Sequence, residues 1–129
     1  WTRAIEALEP DIIEAGDAFH TAWTAQGVAA RRGIPRVAFY HSNLPHLVGR
    51  RYGAPGRAIA AAYVKLVYSR FDRVYAPSRF MRDYLRELGI HHARHQPLGV
   101  DPTTFHPARR TRDLRAELGL APDARLLLY

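Results

Sequence analysis

The 129-residue sequence contains no cysteine, one lysine and one methionine. The lack of cysteine excludes disulfide bonds, a thiol nucleophile and cysteine-ligated zinc or iron–sulfur sites. No apolar run reaches the roughly 18 residues that a membrane-spanning helix requires, because Lys65 interrupts the best candidate, residues 59–67. Apolar residues still make up 47% of the chain, which is enough for a hydrophobic core without metals or cross-links.

Several sequence motifs are also missing. The sequence has neither G-x-G-x-x-G nor G-x-x-x-x-G-K-[ST], so neither a dinucleotide-binding loop nor a P-loop is predicted. It also lacks the G-x-S-x-G nucleophile elbow. The chain begins with Trp1 rather than Met, without a signal-peptide pattern. Together with an apolar run at residues 126–129, this start leads us to expect a piece of a longer protein.

Acidic residues are few relative to arginine. The sequence contains 12 Asp and Glu residues and 19 Lys and Arg residues, which gives a net charge of +7. Such an excess favours anionic partners, namely nucleic acid, phosphorylated small molecules or an anionic membrane surface. The abundance of arginine and alanine fits the codon bias of a GC-rich genome equally well, so charge alone selects no partner.

Short apolar runs alternate along the chain with longer segments of helical periodicity. The predicted strands are residues 11–15, 37–40, 74–76, 94–98 and 126–129. The predicted helices are residues 19–32, a segment from residue 58, residues 78–88 and residues 111–118. Prolines and glycines predict loops over residues 41–55 and 99–107.

Local signals support these helices. Gly33 follows the first, Ser78 is a good N-cap with Gly89 as the stop, and Thr111 could cap the last. In the second helix, a stripe at helical spacing is predicted to face the core: Ile59, Ala62, Tyr63, Leu66 and Val67.

Strands that alternate with helices predict βαβ units. The fold class is therefore α/β, a Rossmann-like parallel sheet with flanking helices, which we expect on both faces. The proline-rich stretch marks the predicted domain boundary, with one domain at residues 1–98, a linker at 99–107 and the start of another domain at 108–129.

Polar residues follow each predicted strand, and parallel strands present their carboxyl ends at one edge, where α/β sheets bind ligands. These candidate site residues are Gly16, Asp17, His41, Ser42, Asn43, Ser78, Arg79, Gly99 and Asp101. His41 directly follows an apolar strand and could exchange a hydrogen bond with a substrate, or it could cap loop backbone groups. Ser78 and Arg79 open a helix that could hold an anion, although an ordinary N-cap explains Ser78 as well.

Two further clusters have simpler explanations. His91, His92 and His95 lack the spacing of a known metal motif and are expected to face solvent, so no metal site is predicted. The basic residues that follow His41, with tyrosines between them, form either a patch for nucleic acid or anionic lipid, or a solvated helix face. They are Arg50, Arg51, Arg57, Lys65, Arg70 and Arg73, with Tyr52, Tyr63 and Tyr68.

Four segments together resemble a known family. They are P-D-I-I-E at residues 10–14, G-I-P-R-V-A-F-Y-H-S-N at 33–43, F-D-R-V-Y-A-P-S at 71–78, and G-V-D-x-x-x-F-x-P at 99–107. In order and spacing the chain resembles the family-4 retaining glycosyltransferases of the GT-B fold, specifically the bacterial mannosyltransferase-like members.

The resemblance implies a role for each part of the chain. Residues 1–98 would be the later part of the N-terminal, acceptor-side domain, and residues 108–129 the start of the donor-side domain with its first strand. His41 would be the catalytic residue, near the transferred sugar and the acceptor. The implied substrate-binding residues are Gly16, Asp17, Ser42, Asn43, Ser78 and Arg79, and Gly99 and Asp101 would lie at the interdomain hinge.

The resemblance also implies the reaction and its partners. The full protein would be a hexosyltransferase that moves a sugar, with mannose the favoured candidate, from a nucleotide-sugar donor to a glycan or lipid-linked acceptor with retention. We expect no metal, no cofactor and no nucleic-acid partner. The location would be cytoplasmic, with peripheral contact at the anionic inner face of the plasma membrane.

Two alternatives stay open at this point. The chain could belong to another GT-B enzyme, such as a sugar phosphorylase or a nucleotide-sugar epimerase, or it could be a basic α/β module that binds nucleic acid. In the family that the chain resembles, the E-x7-E element and the nucleotide pocket belong to the C-terminal domain, of which these residues would include only the start. We therefore expect the chain alone to be inactive in sugar transfer.

Overall fold

The computed structural model describes residues 1–110 and 112–127. One parallel sheet contains four strands in the order in which they occur along the chain. The strands are β1 (Ile13–Ala15), β2 (Arg36–Phe39), β3 (Arg73–Ala76) and β4 (Ala93–His95). The helices are α1 (Thr2–Ala7), α2 (His20–Arg32), α3 (Leu44–Tyr68), α4 (Arg79–Glu87) and α5 (Leu114–Glu117), with a 3-10 turn at Pro107–Arg109. The predicted α/β, Rossmann-like parallel sheet with flanking helices is confirmed.

The chain divides into two compact units, residues 1–98 and residues 99–129. The sheet and helices α1 to α4 lie in the first unit. In the second, the carboxylate of Asp113 accepts hydrogen bonds from the backbone N–H groups of Arg115 and Ala116 at the start of α5. Thr111, the predicted cap, lies outside the described residues. So do residues 128 and 129 of the last predicted strand, and its first two residues, 126 and 127, have no regular secondary structure.

Burial alternates along the strands and identifies the face that the helices cover. The register aligns Ala15, Ala38, Val74 and Ala93 in one row across the sheet, and all four are buried. The residues that point to the other face are half-buried or exposed: Glu14, Val37, Phe39, Tyr75 and Arg94. Parallel strands in sequential order, joined by right-handed crossovers, place their connecting helices on one face. The expectation of helices on both faces is thus met on one face only in the described part of the chain.

Helices α2 and α4 form where the sequence predicts them. Gly33 ends α2 with φ 66°, a left-handed conformation that glycine adopts without strain. Ser78 caps α4 by accepting a hydrogen bond from the backbone N–H of Met81 at 3.1 Å. Leu85 is buried, and Met81, Tyr84 and Leu88 pack against the core as half-buried side chains. None of the helices in the described residues has the length and apolarity that crossing a bilayer requires.

The predicted loop over residues 41–55 is wrong from Leu44 onward, because α3 begins there. The side-chain oxygen of Asn43 accepts a hydrogen bond from the His46 N–H at 3.1 Å, and Pro45 lies in the first turn, where its missing N–H costs no hydrogen bond. The glycine and proline signals instead mark a break inside α3. Gly53 has φ 67° and ψ −162°, which is not helical, and Pro55 follows within the first turn of the second arm.

The break bends α3 sharply. A Cβ atom placed on Gly49 would lie 3.0 Å from the Cβ atom of Arg57, eight residues later. In a straight helix these positions would be separated by about 12 Å along the axis. The two arms of α3 therefore meet at an angle, and Gly53 provides the backbone conformation that this angle needs.

The predicted core stripe of α3 is partly wrong. The buried positions in the second arm are Gly56, Ala60, Val64, Val67 and Tyr68. Val67 was predicted correctly and Tyr63 is half-buried. The predicted members Ile59 and Leu66 are 72% and 48% exposed, and Ala62 is exposed. The second arm buries the face that contains the small residues Gly56 and Ala60, so the larger apolar side chains remain on the surface.

Replacing Gly53 with alanine should destabilise the fold. An L-residue is strained in this conformation, and we expect the free energy of unfolding to fall by about 1–3 kcal/mol. The matched control is Gly27→Ala inside α2, where the nearest atom to a new Cβ is the end of the Arg31 side chain at 3.6 Å. That change should be neutral or stabilising by about 0.5–1 kcal/mol. Urea unfolding of both variants measures the difference, and equal effects would contradict a strained position.

Candidate active site

The carboxyl ends of β1 and β2 open onto one cavity of about 220 Å³. Gly16 and Asp17 follow β1, and His41 and Ser42 follow β2, so the adjacent parallel strands bring four of the predicted site residues to the same cavity. Its other walls are mostly apolar and consist of Ala18, Phe19, Tyr40, Leu44, Leu47 and Tyr68. A polar rim above apolar walls is the usual construction of a small-molecule site.

Asp17 is held by the start of α2. Its carboxylate accepts hydrogen bonds from the Phe19 N–H at 2.7 Å and from the Thr21 hydroxyl at 2.5 Å. The Thr21 hydrogen bond is the main cause that lowers the pKa of Asp17, and the charge of His41 contributes in the same direction. Asp17 therefore presents a fixed negative charge beside His41.

His41 projects from the end of β2 and is exposed at the rim of the cavity. Its Nδ1 atom lies 3.2 Å from the Ser42 hydroxyl, and its ring lies 6.4 Å from the ring of Phe39. Since Ser42 engages Nδ1, the second ring nitrogen, Nε2, is the atom that a ligand would contact. A histidine in this position can donate or accept one hydrogen bond at neutral pH.

Tyr40 lines the same cavity and carries a polar group, although the sequence analysis did not single it out for function. Its side chain is 1% exposed, and in the described residues its hydroxyl has no hydrogen-bond partner. Burial is the main cause that raises the pKa of Tyr40, followed by the neighbouring Tyr84 and Tyr68. The nearby Leu44 N–H offsets a small part of this effect, although it donates to the Ser42 carbonyl. An unpaired buried hydroxyl is uncommon in folded proteins and is a natural contact for a bound polar group.

The remaining predicted residues of the first unit, Asn43, Ser78 and Arg79, do not line this cavity. Asn43 caps α3. Ser78 and Arg79 start α4 at the same edge of the sheet as His41, because β2 and β3 are parallel neighbours. Neither of them lines the cavity. Ser78 thus has the capping role that was its simpler explanation.

Gly99 and Asp101 belong to the second unit. They lie four and six residues beyond the end of β4, not directly at the strand end as expected. The Asp101 carboxylate accepts hydrogen bonds from the backbone and hydroxyl of Thr103 and from the Thr104 hydroxyl. These bonds, with the Thr103 side chain first, lower the pKa of Asp101. Asp101 therefore stabilises a local turn, and its predicted role as a hinge stays a prediction.

In the histidine cluster, His91 and His95 are exposed as expected, whereas His92 is half-buried. Nε2 of His92 lies 3.3 Å from the Tyr68 carbonyl, and no group of three potential metal ligands is found in residues 1–110 and 112–127. In the basic patch, Tyr68 is buried and Tyr63 is half-buried, which leaves Tyr52 as the exposed tyrosine. The guanidinium of Arg51 stacks over its ring at 5.7 Å.

A comparison with protein families decides the relationship. The sequence pattern of Glycosyltransferase Family 4 matches residues 1–104, which include both strand ends that form the cavity. The chain belongs to Glycosyltransferase Family 4. The resemblance predicted from the four sequence segments is therefore confirmed.

Curated members with similar sequences are bacterial mannosyltransferases. A GDP-mannose-dependent alpha-mannosyltransferase of Corynebacterium glutamicum is 32% identical over 114 residues, covering 88% of this chain and 28% of the relative. A protein of the same description from Mycobacterium tuberculosis is 31% identical, with 88% and 30% covered. A GDP-mannose-dependent alpha-(1-6)-phosphatidylinositol dimannoside mannosyltransferase, also from Mycobacterium tuberculosis, is 30% identical, with 86% and 29% covered. This Family 4 chain thus spans less than a third of the length of these relatives.

In this Family 4 chain, Asp17 should support the fold as well as the site. We expect Asp17→Ala to lower the free energy of unfolding by about 1 kcal/mol at pH 7 because two hydrogen bonds at the start of α2 are lost. Asp17→Asn should retain most of the stability, since an amide oxygen can accept a hydrogen bond there. Urea unfolding at pH 7 and pH 3 measures both effects.

The pH dependence has a defined sign. The folded pKa of Asp17 is lowered, so its contribution to stability is present above its unfolded value, near pH 4, and is lost as the pH falls through the folded value. The stability gap between the wild type and Asp17→Asn should therefore shrink at pH 3. A gap that widens in acid, or an alanine variant as stable as the wild type, would contradict this role.

Proposed function

We propose that the full-length protein transfers a sugar, with mannose the first candidate, from a nucleotide-sugar donor to a glycan or lipid-linked acceptor with retention of the anomeric configuration. The observation that carries the proposal is the family match over the segment that forms the His41 cavity. The descriptions of the relatives, which name GDP-mannose as donor, support mannose and a nucleotide diphosphate leaving group.

In this proposal, the acceptor hydroxyl attacks the anomeric carbon from the face that the diphosphate leaves. The bond from the anomeric carbon to the phosphate oxygen breaks, the bond to the acceptor oxygen forms, and the acceptor proton passes to the departing phosphate. Developing charge of this kind is stabilised by groups that are already oriented. The proposal includes neither a metal ion nor a cofactor.

The residues of the cavity act as binding and orienting groups. His41, with Nδ1 engaged by Ser42, would hold a sugar hydroxyl through Nε2. Each oxygen of Asp17 already accepts one hydrogen bond, and its remaining lone pairs can accept sugar hydroxyls. The buried hydroxyl of Tyr40 would donate to a polar group that reaches the floor of the cavity. His41 is the one of these that we place at the reacting sugar.

The proposal assigns binding of the donor's nucleotide to residues outside this chain. The cavity of about 220 Å³ is smaller than the roughly 300–1,000 Å³ of sites that enclose a small-molecule ligand, so it suits one part of a larger site. We accordingly propose that the 129 residues alone do not transfer sugar.

We also propose a cytoplasmic location with peripheral contact at the anionic inner face of the plasma membrane. The support is the exposed basic surface of α3, which has Arg50, Arg51, Arg57 and Lys65 and no acidic residue. Each such cation near an anionic bilayer contributes about 1 kcal/mol to membrane binding.

The function is tested by incubating the full-length protein with GDP-mannose and a bacterial lipid extract. Mass spectrometry detects the mannosylated product, and proton NMR gives its anomeric configuration. We expect an α-linked product whose formation is unaffected by EDTA, and no product with the 129-residue chain alone. Phosphorolysis or epimerisation without transfer would overturn the proposed reaction class. A β-linked product would overturn retention, and EDTA inhibition would overturn metal independence. Activity of the 129-residue chain alone would overturn the proposal that transfer needs residues outside it.

A further inference from the structure

An apolar groove of about 630 Å³ runs along the bent helix α3 next to the His41 cavity. It is lined by Phe19, Leu44, Val48, Tyr52, Pro55, Gly56, Ile59, Ala60 and Tyr63. Phe19 and Leu44 also line the His41 cavity, so the polar site and the apolar groove adjoin each other. The volume lies within the roughly 300–1,000 Å³ that is typical of ligand sites.

The shape of the groove follows from the bend of α3. Its floor contains the buried small residues Gly56 and Ala60, and a Cβ atom on Gly56 would meet the Cβ atom of Tyr52 at 2.6 Å. Its edges carry the exposed side chains of Tyr52 (67%) and Ile59 (72%). A floor of small residues between larger apolar walls leaves a trough, which suits a narrow, extended, apolar ligand.

The wall next to the cavity is held in place by hydrogen bonds. The Tyr63 hydroxyl donates to the Ala18 carbonyl at 2.6 Å and accepts from the Trp23 indole N–H at 3.2 Å. The polar atom of Tyr63 is thus satisfied within the protein, and the residue can present its ring to the groove. A cluster of exposed apolar side chains around a preformed trough indicates a binding surface.

The charges around the groove select the kind of ligand. Arg51 lies at the edge of the groove, where its guanidinium stacks over the ring of Tyr52 at 5.7 Å. Arg50 and Arg57 are exposed on the same helix and line a neighbouring pocket. An apolar trough with cations nearby and no carboxylate on its helix complements a molecule that combines a hydrocarbon chain with a negative charge.

We propose that the groove binds the hydrocarbon chain of an anionic lipid whose polar head reaches the His41 cavity. The chain would lie between Ile59 and Tyr52, and the head would pass Phe19 and Leu44, the two residues that line both sites. Identification of this lipid as the sugar acceptor rests on the proposed function, whereas the binding of the chain does not.

The test measures binding of alkyl phosphates to the full-length protein by isothermal titration calorimetry below the critical micelle concentration. We expect affinity to rise by about threefold to fourfold for each added methylene from octyl to dodecyl phosphate, the increase that burial of a methylene provides. Inorganic phosphate, which has the charge without the chain, should bind at least about 100-fold more weakly than dodecyl phosphate. Equal affinity for the two would overturn the proposal.

Matched variants of the protein show where the hydrocarbon chain of the ligand binds. Ile59→Glu places a carboxylate at the groove, and we expect at least a tenfold loss of dodecyl phosphate affinity, on the order of the cost of an unpaired charge beside an apolar ligand. Leu66→Glu makes the same change at an exposed position of α3 that does not line the groove, and its effect should stay below about twofold. Both sites are exposed, so both variants should fold, which thermal unfolding verifies.

Two outcomes overturn the inference. Equal losses in the two variants would indicate adsorption to the whole basic helix, and the absence of binding would show that the groove does not hold a hydrocarbon chain. Neither outcome affects sugar transfer to an acceptor without a hydrocarbon chain, so the proposed function can stand or fail independently of the groove.

Discussion

Replacing His41 with alanine should lower kcat/KM for sugar transfer by about 100- to 10,000-fold, the range associated with loss of a well-placed hydrogen-bonding or proton-transferring side chain. His41 is exposed at the end of β2, so the change removes little packing and the protein should stay folded. The loss should fall mainly on kcat if His41 acts on the sugar as its bond to the diphosphate breaks. Steady-state kinetics of the full-length protein measures both parameters.

The matched control for this prediction is His46→Ala. His46 is also exposed and lies at the start of α3, but it does not line the cavity. Its backbone N–H, not its side chain, makes the hydrogen bond to Asn43, so alanine preserves the cap. We expect transfer within about twofold of the wild type, as for most surface substitutions. Near-normal turnover of His41→Ala, or an equal loss in both variants, would remove His41 from the site.

Replacing Arg50, Arg51 and Arg57 together with glutamine should weaken binding to anionic vesicles on the order of 100-fold. Each cation near the membrane surface contributes about 1 kcal/mol, and the three contributions add to the equivalent of about two decades in affinity. The three side chains are exposed on α3, so the fold should persist. Co-sedimentation with phosphatidylcholine vesicles, with and without phosphatidylglycerol, measures the effect.

A control variant with the same change in net charge distinguishes the effect of where the arginines lie from the effect of the total charge. Arg3, Arg94 and Arg125 are exposed and lie outside α3, and their replacement by glutamine should weaken vesicle binding much less. Wild-type binding that does not depend on phosphatidylglycerol would refute membrane contact through this surface. Equal weakening by the two triple variants would show that only the net charge matters.

Much of the fold could be predicted because local signals and tertiary structure agree. Gly33 and Ser78 mark helix boundaries that the structure reproduces, and the buried strands contain short apolar runs. The start of α3 was missed because Pro45, Gly49, Gly53 and Pro55 together are typical of a loop. In the structure Pro45 and Pro55 each lie in the first turn of one arm of α3, and Gly53 forms the bend between the arms. Only tertiary packing determines that outcome.

The orientation of α3 could not be deduced from hydrophobicity. Ile59 and Leu66 have the spacing of a core stripe, yet Gly56 and Ala60 occupy the buried face. Close packing of a helix depends on the shape of the surface it meets, and the spacing of apolar residues in the sequence contains no information about that surface. Ile59, one of these two displaced side chains, forms an edge of the groove, so part of the error in the core prediction coincides with the surface that we propose to be functional.

The candidate site was predicted in part. The rule that ligands bind at the carboxyl ends of parallel strands placed Gly16, Asp17, His41 and Ser42 at one edge, and the structure places all four at one cavity. The rule could not show that Ser78 does not line the cavity. It predicts at which edge of the sheet a residue lies, but not its distance from the other residues at that edge. Tyr40 was missed because a tyrosine within an apolar run is typical of a core residue. Only the structure shows that its buried hydroxyl has no hydrogen-bond partner among the described residues.

The central claim is that the cavity between Asp17 and His41 faces the sugar that is transferred. A crystal structure of the full-length protein with an unreactive analogue of its nucleotide-sugar donor tests it most directly. We predict that the sugar lies beside the carboxyl ends of β1 and β2, with a hydroxyl within hydrogen-bond distance of Nε2 of His41. A sugar bound elsewhere, with this cavity occupied only by water, would contradict the account.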